Sequence, residues 1–163
     1  MRQILELLER DAQLSHDTIA TMTGLPVAEV SKAIAEWEAS GAIRRYKAVI
    51  DWDAVDEDPT SEIVIAFIDV SLAPARGVGF DDVAARIARF DEVRSVHLVS
   101  GGHDLRCTVT GRSIRAVSDF VSQKLSTIDR VRATATYFVL KTYKRDGDTF
   151  TISDEDRRLP VTP

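Results

Sequence analysis

Residues 62–144 alternate between two hydrophobic periods, and the order of that alternation limits the fold more than any single motif. Glu62 to Leu72 is a β-type run carrying Ile63, Val64, Ile65, Phe67, Ile68 and Val70. Phe80, Val83, Ile87 and Phe90 then recur at helical spacing. Glu92 to Ser100 reads as a strand, and after a glycine turn Leu105, Cys107 and Val109 alternate as the next one. Ile114, Val117, Val121 and Leu125 form a second helical stripe, and Val131 to Tyr143 a closing strand. This β-α-β-β-α-β order predicts a ferredoxin-like domain, with two helices on one face of a four-stranded antiparallel sheet.

Two helices cover one face, yet the outer runs are apolar on both sides. Val64, Ala66 and Ile68 oppose Ile63, Ile65 and Phe67, while Phe138 and Leu140 oppose Tyr137 and Val139. A sheet with one wet face alternates more cleanly. The pattern therefore predicts a homodimer in which a second copy covers the other face.

Residues 1–50 have a different character. Ile4, Leu5, Leu7 and Leu8 predict a short helix over 2–11. Ser15 suits the N-cap of a second helix carrying Ile19, Ala20 and Met22, and Gly24 suits its end. Pro26 fits the first turn of a third helix, with Val27, Val30, Ile34 and Trp37 as a buried stripe and Gly41 as its close. Ala42 to Asp51 reads as a strand whose start is basic. Three helices with a tight Gly-Leu-Pro turn and a β element predict a winged helix-turn-helix. The same spacing also fits a three-helix bundle with no nucleic-acid role.

On the third helix Ala28, Glu29, Ser31, Lys32, Ala35 and Glu36 are expected to face solvent. Ser31 and Lys32 can meet phosphate or a base edge, and Arg44, Arg45 and Lys47 in the wing can meet phosphates. The structural alternative for the wing is an ordinary solvated strand edge. Charge distribution opposes a DNA role: residues 1–58 hold six basic and twelve acidic residues, net −6, in a chain of net −5. DNA-binding segments usually carry the opposite sign.

Between the second and third strands lies Ser100-Gly101-Gly102-His103-Asp104. The glycines fit a plain hairpin requiring positive φ, with Asp104 bonding nearby backbone. Backbone N–H groups in such turns also form anion-binding concavities. His16, His97, His103 and Cys107 lack metal-ligand spacing, so structural roles are expected and no cofactor is called for. No nucleophile elbow, phosphate loop or dinucleotide signature is present, which argues against an enzyme. The single cysteine and the absence of a long apolar run fit a cytoplasmic protein without a membrane partner.

Several local signatures, in this order, resemble the Lrp/AsnC family of feast/famine regulators over roughly residues 2–144. They are Ile4-Leu5-x-Leu7-Leu8-x-x-Asp11-Ala12-x-x-Ser15, Ile19-Ala20-x-x-x-Gly24-Leu25, Val30-Ser31-Lys32-x-Ile34 and Glu38-x-x-Gly41-x-Ile43-x-x-Tyr46. On the C-terminal side they are Val99-Ser100-Gly101-Gly102-His103-Asp104-Leu105 and Thr134-x-Thr136 with Lys141. After the serine this chain has Ala33, Ala35 and Glu36, where family recognition helices usually carry basic residues.

The resemblance implies a winged helix-turn-helix joined to a ferredoxin-like effector domain, and dimers that assemble into tetramers or octamers. It implies double-stranded DNA as one partner and an amino acid or similar small molecule as effector. Groups around Ser100, Gly101 and Gly102 would then meet the effector, and His103 would tune which ligand is accepted. Asp104 would pair with a charge or fix the turn. Thr134 or Thr136 would close the pocket from a neighbouring chain. The expected organisation is a DNA-binding domain at 1–50, a linker at 51–61, an effector and oligomerisation domain at 62–144 and a mobile tail at 145–163 with a docking segment at Leu159-Pro160-Val161. The alternative function is a small-molecule-sensing assembly protein whose helical domain binds protein partners and has little DNA affinity.

Overall fold

A computed structural model describes residues 1–51, 63–74 and 79–150. The chain divides into two compact units, Met1–Ile50 and Asp51–Pro163. All of the linker expected at 51–61 except Asp51, and the segment Leu159-Pro160-Val161, lie outside the described residues.

The first unit contains α1 (Arg2–Arg10), α2 (His16–Thr23) and α3 (Val27–Ser40). Local chemistry sets the boundaries. Ser15 caps α2 by accepting from Thr18 N at 3.1 Å, a bond worth about 1 kcal/mol at such a position. Gly24 and Gly41 end α2 and α3 with φ of 70° and 75°, a region that favours glycine. Ile4, Ile19, Ala20, Val30, Ala33 and Ile34 form the core, with Leu7, Leu8, Leu14, Leu25, Trp37 and Ile43 packed around it.

Three expectations need correction in this unit. Val27 is 40% exposed and Met22 53% exposed, so neither belongs to the buried stripes. Ala33 is buried and is no recognition position; a cation there would face the core. The predicted strand over Ala42 to Asp51 forms no ladder among the described residues. Apolar alternation alone cannot make a strand without an edge to pair with.

The second unit is built on β1 (Val64–Leu72), α4 (Asp81–Ile87), β2 (Val93–Leu98), β3 (Leu105–Gly111), α5 (Ile114–Phe120) and β4 (Val131–Phe138). The helix after β3 continues as a π-helical turn, Val121–Leu125. All pairings are antiparallel and the spatial order is β2-β3-β1-β4, the ferredoxin-like arrangement expected from the pattern. Ala66, Ile68, Val70, Leu105, Cys107 and Val109 point to one face and pack with Val83, Ile87, Val117, Phe120 and Leu125 of the helices.

The opposite face is mixed rather than wholly apolar. By register it presents Ile65, Phe67, Asp69 and Ser71 from β1, Arg106 and Thr108 from β3, and Ala133, Ala135 and Tyr137 from β4. Phe67 is 43% exposed and Tyr137 51%, and the two are direct cross-strand partners. The apolar half of the face is thus the β1–β4 end, and the polar half lies toward the glycine turn.

Secondary structure runs into the segment expected as the tail. Lys144–Arg145 and Asp148–Thr149 pair as a small hairpin, β5 and β6. Asp146 and Gly147, both with positive φ (52° and 100°), occupy its two-residue turn, as an Asp-Gly pair does in tight hairpins. Arg145 stacks on the Phe150 ring at 4.5 Å.

Candidate functional site

In the N-terminal unit the chain turns Ser31, Lys32, Arg44, Arg45 and Lys47 outward, Ser31 being half-buried and the cations exposed. Lys32 Nζ sits 3.9 Å from Glu36 Oε1 one turn on, so part of its charge is met within α3. Ser31 Oγ lies 2.8 Å from His16 Nδ1 at the start of α2. The basic segment after α3 is anchored rather than free: Tyr46 OH donates to Glu38 Oε1 at 2.9 Å, and Ile43 N donates to Trp37 O at 3.1 Å. Burial, then the hydrogen bond and charge of Glu38, raise the Tyr46 phenol above its ordinary value, so this donor keeps its proton. The anchor fixes Tyr46 between the exposed cations Arg45 and Lys47.

The unit boundary changes the charge argument. Residues 1–50 hold six basic and seven acidic residues, net −1; the excess acid lies in 51–58, beyond the helical unit. The reading of this unit as a protein-binding module drew on the −6 of residues 1–58, and most of that support goes with the boundary.

In the second unit, the β2–β3 turn is held from beneath. Asp104 Oδ2 accepts from Leu72 N at 2.7 Å, and Asp104 N donates to Val70 O at 3.1 Å. Asp104 therefore fixes the turn to β1 rather than offering a free charge. His103 Nδ1 lies 3.1 Å from Ser71 Oγ and its Nε2 3.8 Å from Asp69 Oδ2. Asp69 in turn accepts two hydrogen bonds from Arg106, at 2.7 and 2.9 Å.

Ser100, Gly101 and Gly102 stand exposed at the tip. The segment joins β2 and β3 as a hairpin, but neither glycine has a positive φ, so a left-handed backbone does not account for the choice of glycine there. A Cβ on either would meet nothing within 4 Å. Among the described residues their amides form no hydrogen bond, and no part of the turn's own packing requires glycine. Thr134 lies in one row with Val70 and Leu105 at the turn's end of the sheet, and Thr136 pairs with Ile68 further in. Both fall on the helix-facing side, so the chain does not bring them together with His103 on the open face.

Cys107 points into the core, and burial pushes its thiol up to about 11, with Asp69 adding to the shift. A thiol so placed is no ready nucleophile or metal ligand. Among the described residues no group of three His, Cys, Asp or Glu side chains converges as a metal site, and no helix is long and apolar enough to cross a membrane.

Residues 65–149 match the model of the Lrp/AsnC ligand binding domain. The chain belongs to the Lrp/AsnC family. It is a transcriptional regulator of that type, and its similarity extends across both units. It is 48% identical over 161 residues to the uncharacterized HTH-type transcriptional regulator YugG of Bacillus subtilis (strain 168), covering 99% of this chain and 95% of the relative. The leucine-responsive regulatory protein of Rhizobium meliloti (strain 1021) is 25% identical over 142 residues, 87% of this chain and 88% of that one. Among solved structures, the leucine response regulatory protein LrpA of Mycobacterium tuberculosis superposes with a TM-score of 0.73 at 27% identity, covering 91% of this chain and 96% of that one. A feast or famine regulatory protein of M. tuberculosis in complex with L-methionine gives 0.71 at 27% identity, covering 91% and 95%.

Within this Lrp/AsnC regulator, three pairs escaped the reading of the sequence: His16 with Ser31, Tyr46 with Glu38, and Asp69 with Arg106. Only the last left a trace. Asp69 interrupts an apolar strand, and a lone acid at a buried β position needs a cation nearby.

Proposed function

We propose that this regulator binds duplex DNA through Ser31, Lys32, Arg44, Arg45 and Lys47, with several subunits contributing. An amino acid or related small molecule at the Ser100–Asp104 turn alters that binding or the assembly state. The observation that carries the effector site is the pair Gly101 and Gly102. They are exposed and lack both a left-handed φ and any neighbour that a side chain would strike. Bare backbone with unused N–H groups suits close approach of a carboxylate, and glycine there keeps the approach open. In this reading Asp104 holds the turn's geometry and His103 selects among ligands. Thr134 and Thr136 lie on the helix-facing side of β4, and in this reading they close the pocket of a neighbouring copy of the chain.

A homodimer is part of the same proposal. Phe67 and Tyr137 leave an apolar half-face on the sheet that a second copy would cover, and linked subunits raise DNA affinity by about 10²–10⁴ without new contacts. By linkage, DNA then changes effector affinity by the factor by which effector changes DNA affinity.

The test is native mass and random-duplex binding, each with and without a panel of free amino acids. The expected result is an oligomer, salt-sensitive DNA binding, and a change in either on adding at least one amino acid. A monomer that ignores both duplex and amino acids overturns the proposal.

A further inference from the structure

We propose that His16 is a DNA-contacting residue, and that His16 and Ser31 together form one phosphate-binding pair. The inference rests on the reading of the first unit as a DNA-binding helix-turn-helix, and deepens it by naming a contact on α2.

His16 Nδ1 and Ser31 Oγ are 2.8 Å apart, 15 residues apart in the chain, and join α2 to α3 on their outer side. His16 is exposed and Ser31 half-buried, and Lys32 next to the serine is exposed as well. Among the described residues neither partner makes another side-chain hydrogen bond.

The pairing decides what it leaves for a third group. If the serine hydroxyl donates to Nδ1, the ring proton sits on Nε2, and Nε2–H diverges from Ser31 by the geometry of the ring. If Nδ1–H donates to the serine oxygen, the hydroxyl proton is the one left over. Each arrangement leaves one donor unspent beside a lysine. A negatively charged, acceptor-only group satisfies either state, and a DNA phosphate oxygen is such a group. A base edge, which offers donors and acceptors in patterns that differ with sequence, is not matched by a pair whose donor can sit on either partner. Ser31 and His16 therefore position the protein on the duplex without reading its sequence.

This contact also accounts for a feature of α3. Its single outward cation, Lys32, is partly engaged by Glu36, so backbone affinity has to come from neutral donors as well as charge.

The experiment uses the intact protein and fluorescent random-sequence duplexes, one AT-rich and one GC-rich, at low and moderate salt. His16→Ala and Ser31→Ala are each expected to weaken binding about tenfold, equally on both duplexes. The double variant is expected to lose little more than either single one, because each removes the same joint contact. His16→Gln, whose amide can both accept from Ser31 and donate outward, is expected to retain most of the affinity with thermal stability unchanged.

If wild type binds and His16→Ala binds as well as wild type, the proposal is overturned while DNA binding stands. Losses that add in the double variant, or that differ between the duplexes, overturn the joint phosphate contact. A wild type that fails to bind any duplex at low salt instead removes the helix-turn-helix reading itself, and this inference with it.

Discussion

Arg106 closes a two-bond fork on Asp69, with Nε donating to Oδ1 at 2.7 Å and Nη2 to Oδ2 at 2.9 Å. The carboxylate side chain is 4% exposed and the guanidinium 54%, so the cation lies over the acid and shields it from solvent. The pair occupies the open sheet face beside His103 and the β2–β3 turn.

Acid stability should depend on this fork. The hydrogen bonds from Arg106 hold the Asp69 carboxyl below its ordinary value of 3.8, against the upward push of burial, with the charges of Arg106 and His103 adding to the effect. A folded value below the unfolded one means that the stabilisation is complete above the ordinary range and fades as pH falls from there through the folded value. In Arg106→Ala only the charge of His103 still opposes the upward push of burial, so the acid-unfolding midpoint followed by circular dichroism should move to higher pH. A midpoint that stays in place refutes this account of the pair.

Glycines in the second unit should divide into two kinds. A Cβ at Gly111 would lie 2.9 Å from Val117 Cγ2, a buried, stiff, β-branched side chain that cannot swing away. Gly111→Ala is expected to cost about 1–3 kcal/mol in urea unfolding. Gly101→Ala and Gly102→Ala meet no neighbour, and each should change stability by less than about 0.5 kcal/mol while weakening the response to effector. Equal effector response in the Gly102→Ala protein counts against the turn as the ligand site.

Glu36 should restrain DNA affinity. Removing it frees Lys32 from its partner at 3.9 Å and lowers the negative charge of α3. Glu36→Ala is expected to tighten binding to random duplex about two- to fivefold at low salt, with the gain shrinking as salt rises. Weaker binding in this variant, measured by fluorescence anisotropy, contradicts the placement of α3 against the backbone.

The apolar half of the open sheet face should set the oligomer. Phe67 and Tyr137 are exposed cross-strand neighbours, and a carboxylate at position 67 would have to be buried without a cation if a second copy packs there. Phe67→Asp is expected to give a folded monomer by analytical ultracentrifugation. Retention of the wild-type mass would place the subunit contact elsewhere.

Most of the fold was legible because its signals are local. Ser15, Gly24 and Gly41 punctuate the helices through their own backbone and neighbouring N–H groups, and period-2 and period-3.6 runs mark the elements of the second unit without reference to distant residues. The Asp146-Gly147 hairpin is equally local, although its charged, proline-containing surroundings suggest a mobile tail. The Ala42 to Asp51 run shows the converse: its alternation is real, but a strand requires a partner.

The candidate sites were legible only in part. The turn at Gly101 and Gly102 stands out in the sequence, yet the same letters fit a hairpin needing positive φ, and only the observed backbone removes that explanation. In the sequence Asp104 fits both a charge partner and a residue that fixes the turn, and its bond to Leu72 N makes it the peg of the turn.

By itself the sequence determined the order of elements, their caps and the division into a helical and a mixed unit, since each of these follows from interactions spanning a few residues. Tertiary structure alone decided which polar groups meet. Asp69 finds Arg106 across 37 positions and His16 finds Ser31 across 15, because strand register and helix packing, rather than proximity along the chain, bring a donor within reach of its acceptor.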